Sequence, residues 1–161
     1  MLVDERTVAL AVSDDVVMAS EVGWFAAKQP GLLRFVEDRV GHDGDATAMA
    51  VDLCWRVVAA FERKRGLPMA RLAVAELEHA EEEVTRESQG GLDLATGCAH
   101  RQPDLCRWLE AALAAPLLPV EPAAHDQVAL IVAATISACD RSHHAAPLGV
   151  ASNVSAGVLI G

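Results

Sequence analysis

Tyrosine is absent from the 161 residues, and phenylalanine and tryptophan appear three times each, so aromatics make up only 4% of the chain. Sheet proteins draw on aromatic and β-branched residues to cover their pleated faces. The scarcity of aromatics, beside an apolar fraction of 52% that is rich in alanine, points instead to closely packed helices. No apolar run reaches the roughly eighteen residues that span a bilayer, and Asp4 and Glu5 stand where a secretory leader would carry positive charge. Basic residues are few: thirteen against twenty-three acidic ones, for a net charge of −10 and a pI near 4.9. Such a chain repels polyphosphates and anionic lipid at long range, so neither nucleic acid nor membrane is an expected partner, and a cytoplasmic location is expected. Neither a Gly-x-Ser-x-Gly turn nor a glycine-rich phosphate loop occurs, which removes two common routes to catalysis.

Ten residues recur seventy-three positions apart: Lys28-Gln-Pro-Gly-Leu-Leu-Arg-Phe-Val-Glu37 and Arg101-Gln-Pro-Asp-Leu-Cys-Arg-Trp-Leu-Glu110. The pairs Gln29/Gln102, Pro30/Pro103, Leu32/Leu105, Arg34/Arg107 and Glu37/Glu110 are identical, and Lys28/Arg101, Phe35/Trp108 and Val36/Leu109 keep their chemistry. The pattern suggests an internal duplication. Each proline suits the first turn of a helix, where its missing amide proton would have no partner anyway. The apolar residues that follow at i, i+3 and i+4 form a buried face. Arg34 and Arg107 point elsewhere, and each is within reach of the glutamate three residues on.

The remaining periodicities fill in the design. Ala46, Met49, Ala50, Leu53, Val57, Ala60 and Phe61 form one stripe of a helix over about 45–65, with Asp43 or Asp45 as its cap, Arg63-Lys-Arg65 at its negative end and Gly66 as its stop. Pro68 is expected to open a glutamate-rich helix over 68–88 with Ala73, Leu77, Ala80 and Val84 as its seam. Helices are also expected over about 14–28, 92–101 and 122–141. The expected fold is therefore all-α: a single domain over 1–161 in which a duplicated three-helix unit (14–65 and 92–141), joined by helix 68–88, makes a six- to seven-helix body. Residues 5–12 suit a short strand or a helix. The tail 145–161 is too apolar for a solvated linker, and packing on the body or on a second chain, as an extended segment, is expected there.

Candidate chemistry is thinner. Cys98, His100 and Cys106, with Cys54, Cys139 and His143 elsewhere, carry donors suited to zinc, yet their spacing fits no standard zinc pattern. Within the repeat every cysteine faces an apolar counterpart, which favours reduced thiols acting as core filler. Glu76-x-x-His79 resembles one step of a di-iron carboxylate site, and Asp140-x-x-His143 is the nearest second step. His42-Asp43 and His125-Asp126 resemble metal-gripping dyads, but both stand where helices begin and suit first-turn or capping acids. Trp55 lies beside the long stripe and is a candidate interface anchor. Together these features favour a non-catalytic binding, adaptor or regulatory protein that acts through its surface and associates with itself or another protein, with no cofactor. Two alternatives stand beside it: a metal sensor or metal-dependent enzyme using zinc or iron on Cys98, His100, Cys106, Glu76, His79, Asp140 and His143, and a small-molecule pocket between the repeat units.

Overall fold

The computed structural model describes residues 2–12, 19–88, 101–116 and 118–144. The described residues form seven helices and no strand: α1 Glu5–Val12, α2 Ala19–Lys28, α3 Pro30–Val40, α4 Gly44–Arg65, α5 Val74–Ser88, α6 Pro103–Ala114 and α7 Pro122–His144. The all-α expectation therefore holds. The expected helix over 92–101 and the tail beyond 144 lie outside the described residues.

Two long helices carry the core. In α7 every residue from Ile131 to Asp140 is buried, the mark of a helix enclosed on all sides. Its alanines and serine let neighbours approach closely, and α3, α4, α5 and α6 all pack on it. Along α4 the predicted stripe is buried in full, and Val51, Cys54 and Val58 widen it. The predicted ends of α4 also hold: Asp43 Oδ1 accepts from the Ala46 amide at 2.9 Å, and Gly66 closes the helix at φ 68°, a left-handed conformation that side chains with a Cβ rarely take.

The start of α5 differs from expectation. Residues 68–73 are not helical, and α5 begins only at Val74. Their backbone groups bond sideways: the Met69 amide donates to Glu62 Oε1 and the Leu72 amide to Gln29 Oε1, both at 2.9 Å, while Gln29 Nε2 donates to the Ala70 carbonyl at 3.0 Å. Met69 and Leu72 are buried, whereas Ala73 is exposed and precedes the helix it was expected to line. A proline is compatible with a first helical turn, but here the side chains of Glu62 and Gln29 take the backbone's hydrogen bonds, and no helix forms before Val74.

Gln29 is matched by Gln102. Each occupies the cap position before a proline, each is buried to 1% exposure or less, and neither caps its own helix. Gln102 Oε1 accepts from the Val3 amide at 2.9 Å, and its Nε2 donates to Asp140 Oδ1 at 2.6 Å. So the glutamine before α3 holds the segment leading into α5, and the glutamine before α6 holds the segment leading into α1. Val3 and Leu72, the residues held, are themselves core residues. Helix packing follows the same plan: α1 lies on α4 and α6, α5 lies on α7 and α3, and α4 crosses α7. Residues 5–12 are helical rather than extended, with Asp4 Oδ1 accepting from the amide and hydroxyl of Thr7 at the start of α1.

On the repeated helices Leu32, Phe35 and Val36 are buried, as are Leu105 and Leu109, while Trp108 is half-buried. The arginines choose other partners than expected. Arg34 pairs with Asp38 at 3.9 Å and Arg107 with Asp104, leaving Glu37 and Glu110 exposed.

Removing either glutamine clamp strands a buried amide and leaves a void. Gln29→Ala and Gln102→Ala should each lower unfolding free energy by about 2–4 kcal/mol in denaturant titrations. Gly31, in the first turn of α3, lies so close to the clamped segment that an added Cβ would overlap the Leu72 carbonyl oxygen. Gly31→Ala should therefore destabilise by about 1–3 kcal/mol, against the gain of a few tenths to ~1 kcal/mol that the same change gives in an open helix.

Candidate functional site

Among the described residues the densest run of like charge lies on α5, which carries six glutamates. Leu77, Ala80 and Val84 turn one face of this helix into the core, so the glutamates between them project along its flanks and outward. Glu81 meets Arg39 of α3 in a two-pronged pair, with Arg39 Nε 2.9 Å from both carboxylate oxygens and Nη2 2.5 Å from one. The Arg39 guanidinium also stacks 3.7 Å over the ring of Phe35. Glu81 holds the Arg39 proton more tightly still, raising its pKa from an already high value. A planar guanidinium suits this combination of fork and stack better than an ammonium does.

Glu83 is the meeting point of two arginines and a histidine. Arg141 of α7 lies 2.8 Å away, His79 lies 3.3 Å away, and Arg101 at the approach to α6 lies 3.9 Å away. Arg101 also reaches Glu87 at 3.2 Å and Ser137 Oγ at 3.3 Å. These pairs are partly exposed, so each adds at most about 1 kcal/mol. Their effect is to orient α5 against the rest of the body. Beside them a shallow groove of about 450 Å³ is lined by Glu81, Glu82, Thr85 and Arg86 of α5 and by Leu130 of α7. It places two carboxylates, a guanidinium, a hydroxyl and one apolar side chain at the surface, a set suited to recognition.

The proposed metal ligands are dispersed where they are described. Glu76 Oε2 accepts from the Ala73 amide at 2.8 Å, turning back on the start of its own helix. His79 is 60% exposed, on the side away from the buried seam. Asp140 is buried and accepts from Gln102. Cys106 is disulfide-bonded, which corrects the expectation of reduced thiols at this position and leaves it no thiolate for a metal while oxidised. Cys98 and His100 lie outside the described residues, as does the side chain of His143 in the last turn of α7. Among the described residues no three of His, Cys, Asp and Glu gather so as to hold a metal ion.

The other singled-out residues have structural partners. Asp43 caps α4, and the neighbouring His42 is exposed. His125 joins α7 to α6, its Nε2 lying 2.9 Å from the Leu113 carbonyl oxygen. Asp126 sits past the first turn of α7 rather than within it. Trp55 is half-buried and meets Phe25 edge to face, with ring centres 5.7 Å apart. Cys54 and Cys139 are free and buried, and Cys54 Sγ lies 3.3 Å from Thr135 Oγ1.

Two features of the site went unforeseen from the sequence: the lateral role of the glutamines, and the arginines that answer the glutamate run. A buried-looking glutamine repeated at a position where Ser, Thr, Asp or Asn is usual was an available signal for the first. The second carried none, since Arg39 and Arg141 lie 42 and 58 residues from their partners.

Comparison with known protein families, with curated proteins and with solved structures returns no match for this chain. No helix among the described residues is long and apolar enough to cross a membrane.

Burial pushes the Cys54 thiol up to about 12 and the Cys139 thiol higher than its ordinary value as well. Raised thiol values stabilise the fold below the unfolded-state value of 9.0 and lose that contribution as pH rises above it. Both thiols should thus resist a maleimide in the native protein at pH 7 and react fully in guanidinium, while denaturation midpoints fall above pH ~9. Rapid native labelling of either residue, read by peptide mass spectrometry, would show that the α4/α7 interior is open to reagent.

Proposed function

We propose that this chain is a non-catalytic binding or regulatory module that acts through its surface and associates with itself, and that its two halves descend from one duplicated helical unit. The observation that carries the functional reading is how the interior polar groups are used. Gln29 and Gln102 hold backbone, Asp140 accepts from Gln102, Thr135 donates to the Ile131 carbonyl at 2.9 Å and lies against Cys54, and Ser137 meets Arg101. Buried polar side chains used in this way build a fold, whereas catalytic ones converge on a cleft. The groove between α5 and α7 is open and sits at the surface, where a macromolecular partner finds it.

Self-association is supported by two leucines. Leu2 is 57% and Leu67 61% exposed, the large apolar side chains most open to solvent among the described residues. They flank in sequence the Lys64–Asp4 pair, whose charged atoms lie 2.5 Å apart and bring the start of α1 to the end of α4. That pair, with the Thr7 amide, holds the Asp4 carboxyl well below its ordinary value, so the junction keeps its charge at neutral pH.

The duplicated-unit reading is supported by the parallel glutamines and the parallel packing, and both redraw the unit. Helix α5 takes the place in the second half that α1 takes in the first, so the unit begins one helix earlier than the three-helix division suggests, and 68–88 is part of a unit rather than a joint.

Sedimentation velocity on the whole chain over a wide concentration range checks the functional reading. A species of twice the 17.0 kDa chain mass is expected to form with rising concentration and to disappear in Leu67→Asp or in Leu130→Arg, whichever surface it uses. A monomer at every concentration would remove self-association, and an assembly indifferent to both substitutions would place the interface elsewhere.

A further inference from the structure

We infer that each half of this molecule presents a docking slot built for a second unit of the same design, and that the occupant of each slot is the lead-in segment of the other half. The inference rests on the duplicated-unit reading and adds to it a specific interaction surface. The slot is the buried glutamine at the start of a helix together with the apolar ground beside it. The occupant is a non-helical segment with a buried aliphatic residue whose amide faces the glutamine oxygen: Leu72 for Gln29 and Val3 for Gln102, each at 2.9 Å.

Three observations carry this. The exchange is reciprocal, since each half supplies one slot and one lead-in. Each lead-in runs into a helix that packs across the halves, α1 on α6 and α5 on α3, as well as on the long helix of its own half. The two long helices then meet each other, α4 on α7, with Cys54 of one against Thr135 of the other. A two-fold pair of like units has one patch on its own copy and its lead-in contacts twice, as here; the α3–α7 contact, which has no α6–α4 counterpart of like extent, departs from that symmetry. In one chain the pair is covalently joined through Gly66 and Leu67, both exposed, with Gly66 in a conformation that ends α4.

The chemistry of the slot explains why it accepts a second unit. A primary amide offers one acceptor and two donors in a plane, and Gln29 uses that plane as a neighbouring strand would, taking the amide of residue 72 and giving to the carbonyl of residue 70. Such recognition reads backbone, so side-chain identity enters only through the aliphatic residue placed in the core. Leucine and valine both serve. In a pair of two first halves, Gln29 of each would hold the Val3 amide of the other.

The test uses the whole chain with a protease recognition sequence inserted after Gly66. The cut protein is unfolded in guanidinium, refolded and examined by native mass spectrometry, with the uncut insertion chain as the refolding control. The heteropair of first and second halves is expected to dominate, accompanied by a homopair of first halves. Gln29→Ala removes both clamps from that homopair but only one from the heteropair. The ratio of homopair to heteropair should therefore fall by about thirtyfold or more, the equivalent of one additional lost clamp. Heteropairs alone, separated pieces, or a homopair indifferent to Gln29→Ala would each overturn the inference. The duplicated-unit reading is judged independently on the uncut chain, where grossly unequal losses of stability for Gln29→Ala and Gln102→Ala count against equivalence of the two halves.

Discussion

The fold depends on a side-chain amide that bonds sideways instead of capping its own helix. Residues before a proline-led helix normally serve the free amides of the first turn. At Gln29 and Gln102 the backbone carbonyl still accepts the first helical bond, from Leu33 and Cys106 at 3.1 and 3.0 Å, and the proline removes one amide that would otherwise need a partner. The side chain is thereby released to hold a segment far away in sequence. Because both glutamine side chains are buried, losing one of their bonds to buried backbone leaves a desolvated group rather than a hydrated one. At Gln29, whose oxygen and nitrogen both meet the lead-in, a segment displaced by one residue would present a carbonyl to the glutamine oxygen and an amide to its nitrogen.

With the lead-ins held, the positions of α1 and α5 follow, and with them the electrostatics of the surface. Helix α5 leaves its clamp at Val74 and lies between α3 and α7, which brings its glutamates up against arginines from both. The run that reads in sequence as a solvated acidic face is thus divided. Glu81, Glu83 and Glu87 join α5 to Arg39, Arg141 and Arg101, whereas Glu78 and Glu82 remain exposed. The strong negative charge of the chain is in this way partly used as internal fastening. The exposed remainder faces outward beside the groove.

Helix α4 was legible almost residue by residue, because everything that defines it is local: a stripe at helical period, an aspartate at one end, a basic run and a glycine at the other. The first turns at Pro30 and Pro103 were legible for the same reason. The start of α5 was not, since Pro68 carries a local helix signal that a partner forty-three residues away overrides at Leu72. Arg34 and Arg107 failed on a finer scale: each had two carboxylates within helical reach, and spacing does not choose between them. At the candidate site the sequence showed which residues carry chemistry, but not that Glu76 turns back on its own helix while Asp140 is drawn to Gln102. Those outcomes depend on which element lies beside each residue, and one sequence holds no record of that.

On the duplicated-unit proposal the two halves can be compared position by position. Matching the clamped residues, Val3 with Leu72, sets Glu81, Glu82, Thr85 and Arg86 against Val12, Ser13, Val16 and Val17 in the sequence. Matching the long helices through Cys139 and Phe61 sets Leu130 against Asp52, which is tied to Arg56 at 2.9 Å. All five residues lining the groove therefore differ in chemistry from their counterparts, while the clamps keep theirs. On that proposal the glutamines and the aliphatic lead-ins are the framework common to both halves. The outer flank of α5 lies outside that framework. That flank carries Glu81, Glu82 and Arg86 around one apolar side chain from α7.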